Sequence, residues 1–592
     1  MKTNTYILVS VLILSALGNG QDAPIPSPGP QGLTGWVDLH THPLANVGFG
    51  GKLLYGGVDI GALLPADPDC NANVRATSML QALGHDRSTH GAWNPFNNPC
   101  GDSIRDLVIH VVQLANNAAD ESDDADGAPD FNEWPVWNDL THQKMWVDWI
   151  RRAHRFGLSV MVALAVNNKT LADATSGPCD YPTDDRNSAT LQLAEIKGFV
   201  DRHKDFMEVA LTADDLARIV NAGKLAIVLG VEIDNLGDLN AVSQPPSHAQ
   251  IISEIDKLYS QGVRYIFPIH VLDNPFGGTA TYQDLFNFST FREDGHYWNL
   301  DCAPAPDVPS EAINYHFSSP KAVEVDLLNV AAQVKLHTSF ADPPTYRCAV
   351  NPGPGQTNQL GLTDAGTFAI KEMMRRGMLI DIDHMSDLSK NAAIAIANGV
   401  TGHYPLNSGH ASLRGFFPVS GFQTPAANRE INERSMSAAQ YKAIAQLHGM
   451  AGLGSGNLDA FQFAEMYQQV IQAMQVGAPA GVTVSAGFGT DTDGFAPGMP
   501  PRCKPFIDPS KSDWKCTEAL GKVTYDDSFP MSGNWNYNNV GVAHYGMIPD
   551  FLLDVKDSPT EQSGHILHNL SQGAEYFYQT WKICEKQKSQ VN

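Results

Sequence analysis

GKLAIVLGVEIDN, residues 223–235, opens on a glycine, runs through apolar side chains from Leu225 to Val231 and meets a carboxylate at Glu232. A glycine placed there accepts the left-handed conformation that ends a helix and turns the chain into the next element. A continuous apolar run of this length, with no alternation, is a strand covered on both faces. The same phrase recurs along the chain. Residues 158–165, 263–269, 378–382, 450–453 and 482–488 are apolar runs of strand length, announced by Gly157, Gly262, Gly377, Gly449 and Gly481. Residues 35–39 precede them and a weaker run lies near 404–408, so eight strands are expected, most of them after a helix-like stretch. Continuous apolar strands alternating with helices predict a parallel sheet, and eight of them predict an α/β fold of the (β/α)8 TIM-barrel type. The competing open, doubly wound sheet often carries a glycine-rich phosphate loop, which is missing here.

The barrel is expected to span residues 35–592 as a single domain. Two stretches break its rhythm, 43–139 and 273–361, both rich in Gly, Pro, Asn and Asp and both following strand ends. Insertions at the C-terminal face of the strands form the walls or lid of an active site. The acidic tract ESDDADGAPD in the first of them lacks calcium-loop spacing and reads as a solvated loop.

Residues 1–20, MKTNTYILVSVLILSALGNG, set Lys2 ahead of an apolar run that ends in small residues, which is the pattern of a cleavable signal peptide. A proline-rich spacer, 21–34, follows. The C-terminus is polar, with no tail suited to a lipid anchor. These features predict a secreted or periplasmic protein. Eight cysteines suit an oxidising compartment, and Cys70 with Cys100, Cys302 with Cys348, and Cys503 with Cys516 are the sequence-local pairs. Asn168, Asn287 and Asn569 open glycosylation sequons. Of the 592 residues, 64 are acidic and 39 are Lys or Arg, a net charge of -25 that disfavours nucleic acid and anionic membranes as partners. A small peptide or amide is the expected substrate.

What stands at the strand ends gives the chemistry. The first strand runs into HTH, placing His40 and His42 two apart, so that both rings of an extended segment point the same way. The third ends at Glu232, the fourth (YIFPIHVLDN) at His270, the fifth (MLIDIDHMS) at His384, the sixth (YPLNSGH) at His410 and the eighth (VSAGFGTDTDG) at Asp491. Alone, each is a satisfied core histidine or a capping aspartate. Together, at the face where barrels place catalysis, they are expected to make a zinc-type site, in which a carboxylate such as Glu232 can bridge two divalent ions. No G-x-S-x-G elbow suggests a serine nucleophile instead.

This succession, with DIDHMS and GTDTDG as its more specific parts, resembles the membrane (renal) dipeptidase family of the amidohydrolase superfamily over residues 35–42 and, with gaps, 212–580. The resemblance implies one zinc held by His40, His42 and Glu232 with Asp491 close by, and a second held by Glu232, His384 and His410. It implies that His270 faces the substrate and that Arg429, with Arg414 as its rival, reads the substrate carboxylate; site chemistry then makes Asp491 the expected proton acceptor. Two departures stand out. His42 replaces the family's usual aspartate, and Ile233–Asn235 replaces a pair of glycines after Glu232. The expected activity is hydrolysis of short peptides by metal-activated water. The alternatives are another amidohydrolase reaction on a cyclic amide, lactone or ester, then a phosphoesterase, then a non-catalytic metal-binding protein.

Overall fold

The structure, a computed structural model, describes residues 32–64, 74–84, 127–131, 135–138, 142–175, 181–239, 242, 244–317, 341–348, 354–418, 430–454, 456, 458–502, 535–561 and 565–591. The leader, most of the spacer, the acidic tract up to Asp126, Arg429 and the cysteines at 70, 100, 179, 503 and 516 lie outside these residues.

Eight parallel strands form the centre: β1 (Trp36–Thr41), β2 (Leu158–Asn167), β3 (Leu225–Ile233), β4 (Tyr265–Ile266), β5 (Leu379–Ile380), β6 (Ser408–Ala411), β7 (Ala451–Gly454) and β8 (Ala486–Gly489). Each pairs with its neighbour in chain order, and β8 returns to β1. The remaining gap, between β5 and β6, is bridged at Asp381 and Asn407, where Asn407 N–H donates to the Ile380 carbonyl at 2.8 Å and Ile382 N–H donates to the Asn407 carbonyl at 2.9 Å. The ring is therefore closed, and every predicted strand is present. β4 is short because Pro268, which has no N–H for a ladder, stands two residues past its end. Three strands were not anticipated: Met207–Val209 pairs with the N-terminal half of β3, and Leu300–Cys302 pairs antiparallel with Gln356–Asn358 in the second insertion.

β2 and β3 are fully buried along nearly their whole length, as their unbroken apolar sequences require. Helices cover the outside. Three of them, His248–Ser260, Ala438–Gln446 and Ala460–Gly477, begin with reciprocal capping boxes at Ser247/Gln250, Ser437/Gln440 and Asp459/Gln462, which satisfy backbone N–H groups at their exposed ends. Among the described residues no helix is long and apolar enough to cross a membrane. Cys302 and Cys348 form the expected disulfide, while Cys584 is free and buried. Asn168 and Asn287 are buried with their side-chain amides donating to Asp234 and Tyr346, so neither sequon is open in the folded chain.

The glycines ahead of the strands work as expected at 157, 223, 262, 377 and 481, all with positive φ. Gly449 differs. His448 takes the left-handed position there (φ 63°), and Gly449 is needed because a Cβ would lie 1.7 Å from the Leu406 carbonyl oxygen. Gly481 has open space around its Cβ position and only a φ of 81° to lose. Gly449→Ala is therefore expected to cost about 3 kcal/mol by prying β7 from its neighbour. Gly481→Ala should cost about 1 kcal/mol, the strain of a left-handed alanine. Urea unfolding midpoints of the two variants test that order.

Candidate metal centre

The last residues of the strands converge above the barrel floor. β1 presents Asp38, His40 and His42 on one face, and its end is pinned to the segment after β8: Asp491 N–H donates to the His40 carbonyl (3.0 Å) and His42 N–H to the Thr492 carbonyl (2.9 Å). That pinning brings His40, His42 and Asp491 together. Asp491 Oδ1 lies 3.5 Å from His40 Nε2 and 3.2 Å from His42 Nε2. Asp491 and His384 adopt φ of 52° and 64°, conformations rare for residues with a Cβ and typical of strained functional positions. Gly494 permits the turn at Asp491, since a Cβ there would fall 2.1 Å from Asp491 Oδ1.

Glu232 stands in the middle, buried, with its two oxygens facing different partners. Oε2 lies 3.1 Å from His40 Nε2 and 3.3 Å from His42 Nε2. Oε1 lies 3.1 Å from His384 Nε2 and 3.8 Å from both His410 Nε2 and His270 Nε2. Within each half the imidazoles turn their nitrogens on one another, His40 to His42 at 2.9 Å and His384 to His410 at 2.8 Å. Two ring nitrogens so placed share one proton at most, and Glu232 Oε1 has no hydrogen-bond donor. A divalent ion in each half would meet these lone pairs and the bridging carboxylate at once, and a nitrogen-and-oxygen donor set suits zinc and its first-row neighbours. The donor atoms fall into three sets, each within 4.8 Å: His40, His42 and Asp491; His40, Glu232 and His410; Glu232, His270 and His384. His270 thus stands closer to the second half than its expected substrate-facing position implied.

Most rings are held from behind. His410 Nδ1 meets Asp383 Oδ2 (3.1 Å), and Asp383 also accepts from Ser408 Oγ (2.6 Å). His384 Nδ1 meets Tyr282 Oη (3.1 Å), and His270 Nδ1 meets Asp234 Oδ1 (2.9 Å). Such outer partners fix tautomer and ring angle. Burial, with the nearby His40 and Arg434 charges, takes His410 down to about 4 and holds His384 well below the usual imidazole range. Burial alone would lower His40 too, but Glu232 and Asp491 overcome it and hold His40 at about 10, with His42 raised in the same way.

A cavity of about 550 Å³ opens over the centre. His42, Glu232, His270, His384, His410 and Asp491 all reach it, together with Phe49 from the first insertion and Tyr282, Phe286 and Tyr315 from the second. Arg414 does not line it. Its guanidinium is committed to Asp387 at 2.7 and 2.8 Å and to the carbonyls of Glu433 and Ser435, which removes it as a reader of substrate. Arg429 is outside the described residues. The arginine that lines the cavity is Arg434, over the Tyr282 ring at 5.5 Å and paired with no carboxylate among the described residues. Its neighbour Glu433 fixes the backbone there, accepting from Thr281 N–H, Asn358 N–H and Asp387 N–H. The signal for Arg434 was present in NERSM, a polar segment just ahead of the helix capped by Ser437. Tyr282 lies in an insertion with no pattern to mark it.

No protein-family model matches the sequence, and no curated protein matches it. Solved structures similar to it include an amidohydrolase from Pseudomonas aeruginosa (10% identity, 74% of this chain and 92% of that chain, TM-score 0.40). Others are a metallopeptidase from Rhodobacter sphaeroides liganded with a phosphinate mimic of L-Ala-D-Ala (12%, 74% and 90%, 0.40) and the probable dipeptidase PvdM from Pseudomonas aeruginosa (13%, 75% and 89%, 0.39). Similarity at this level does not reach the chemistry of the site, which rests on its own residues.

Ligation requires neutral imidazoles, so an ion must displace the proton that the carboxylates hold on His40. The proton and the ion compete, and affinity should fall as pH falls. Loading metal-free protein with zinc in weak buffer near pH 7 is expected to release at least about one proton per chain, read with an indicator dye. Dialysis near pH 5 should strip metal that is retained near pH 8. Uptake without proton release contradicts the assignment of His40.

Proposed function

We propose that this chain is an exported two-metal hydrolase that cleaves short peptides bearing a free carboxylate. The observation that carries the reading is Glu232, one buried carboxylate set between two groups of converging imidazoles at the floor of a cavity that also holds Arg434. Divalent ions bound there would supply hydroxide near neutral pH and polarise a carbonyl.

The chain's own residues account for the rest. His40 and His42, against the opposing effect of burial, hold the Asp491 carboxyl well below the usual carboxylate range. Asp491 is therefore ionised, with Oδ1 turned to His42 and His40, and its carboxylate takes the proton of the attacking water and returns it to the leaving amine. His270 Nε2 faces the centre and, with Nδ1–H already given to Asp234, donates to the oxygen of the scissile carbonyl when the ring carries its second proton. Arg434 offers a fork of N–H donors to a carboxylate. The carboxylates lining the cavity, Glu232, Asp284, Glu430 and Asp491, outnumber that one arginine, which disfavours a phosphoester substrate. The Cys302–Cys348 disulfide and the leader-like N-terminus support export.

Arg434→Ala is expected to raise KM for a dipeptide about ten- to a hundred-fold, the loss of one charge-assisted hydrogen bond, and to have little effect on the amidated dipeptide, which wild type already binds weakly. Asp491→Asn should keep its fold and lose about 10²- to 10⁴-fold in kcat. Steady-state kinetics on the free and amidated substrates check both. Equal rates on the two would assign the site to another amide or ester instead.

A further inference from the structure

His270 owes its position to a carboxylate outside the cavity wall. Asp234, two residues past Glu232 at the end of β3, is fully buried, and its Oδ1 lies 2.9 Å from His270 Nδ1. Its Oδ2 accepts from Asn168 Nδ2 at 2.7 Å, just past β2. Asn168 is 2% exposed and fixed in turn, its Oδ1 accepting from Leu171 N–H at 2.8 Å. The Asp234 carbonyl accepts from Asn274 Nδ2 (2.9 Å), and the same amide donates to the Pro268 carbonyl (3.0 Å). The ends of β2, β3 and β4 are thereby stitched together.

A buried carboxylate is costly unless its oxygens are engaged. Both are, so this one has a single orientation and leaves the imidazole a single one too. Nδ1 is spent on Asp234. Nε2 is the nitrogen left, 3.8 Å from Glu232 Oε1 and facing the cavity, with the ring set edge-on to His384 at 81°.

We infer that Asp234 is a positioning residue for the hydrolytic reaction, holding His270 Nδ1 so that Nε2 points at the scissile carbonyl, with Asn168 locking the carboxylate. The inference rests on the hydrolase reading of the site. Asp234 itself touches no substrate, and its whole effect passes through His270. A carboxylate that merely filled space would lower stability without coupling to that ring.

The test is a double-mutant cycle on metal-loaded protein with Asp234→Ala, His270→Ala and the pair, run beside Asp234→Asn. Asp234→Ala should lower kcat about ten- to a hundred-fold with KM and metal content close to wild type. It should add nothing further in the His270→Ala background. Asp234→Asn, which keeps an acceptor for Nδ1, should recover part of the loss. A low-field imidazole N–H proton resonance, present in wild type and absent from both alanine variants, reports the pairing without reference to turnover. Additive losses in kcat, or a missing resonance, overturn the inference, as does loss of an ion in His270→Ala, which would make the ring a ligand. If wild type hydrolyses no peptide or amide while the resonance is present, the hydrolase reading fails and the pairing stands.

Discussion

Everything at the centre depends on one carboxylate serving two sides. Glu232 is 3% exposed, and each oxygen faces its own set of imidazoles, His40 and His42 on one side and His384, His410 and His270 on the other. No open sheet arranges this, because β1 and β5 must both deliver a histidine to the same glutamate from opposite sides of the structure. Closing the ring at Asp381 and Asn407 makes that possible. Phe267 fills the space beneath, edge-on to the rings of His40, His384 and His410, so the ligand-bearing ends rest on packed apolar surface.

A cluster of this kind is expensive to bury, and the chain meets the cost with a second tier of polar groups. Asp383 behind His410, Asp234 behind His270 and Tyr282 behind His384 each occupy the nitrogen that points away from the centre. Asp38, lower in the barrel, accepts from Thr490 and from Tyr545 and ties β1 to the segment after β8. These contacts leave each ring one free direction, and that direction is inward.

The fold was legible because most strands of the barrel announce themselves twice, by a glycine shortly ahead of them and by an apolar run buried on both faces. The metal-ligating residue types were legible because they occur where those runs stop. What was not legible depended on contacts between distant segments. Asp383 was visible inside DIDHMS without a role, since only the folded chain sets it against His410. Arg414 and Arg434 are twenty residues apart in one connecting stretch, and only the pairing of Arg414 with Asp387 separates them. Asp234 read as a departure from an expected pair of glycines, and its use appears only once β2, β3 and β4 lie side by side.

The two insertions shape what enters. Phe49, Phe286 and Phe288 from the insertions, with Phe495 from the segment after β8, add aromatic surface to the cavity that Glu232 and the histidines also line. The centre itself is the claim on which the rest stands. Anomalous diffraction from crystals of protein purified without chelator tests it most directly. The account predicts two metal peaks on either side of the Glu232 carboxylate, one beside His40 and His42 and the other beside His384 and His410. A single peak away from Glu232, or none in a protein that still turns over substrate, would contradict it.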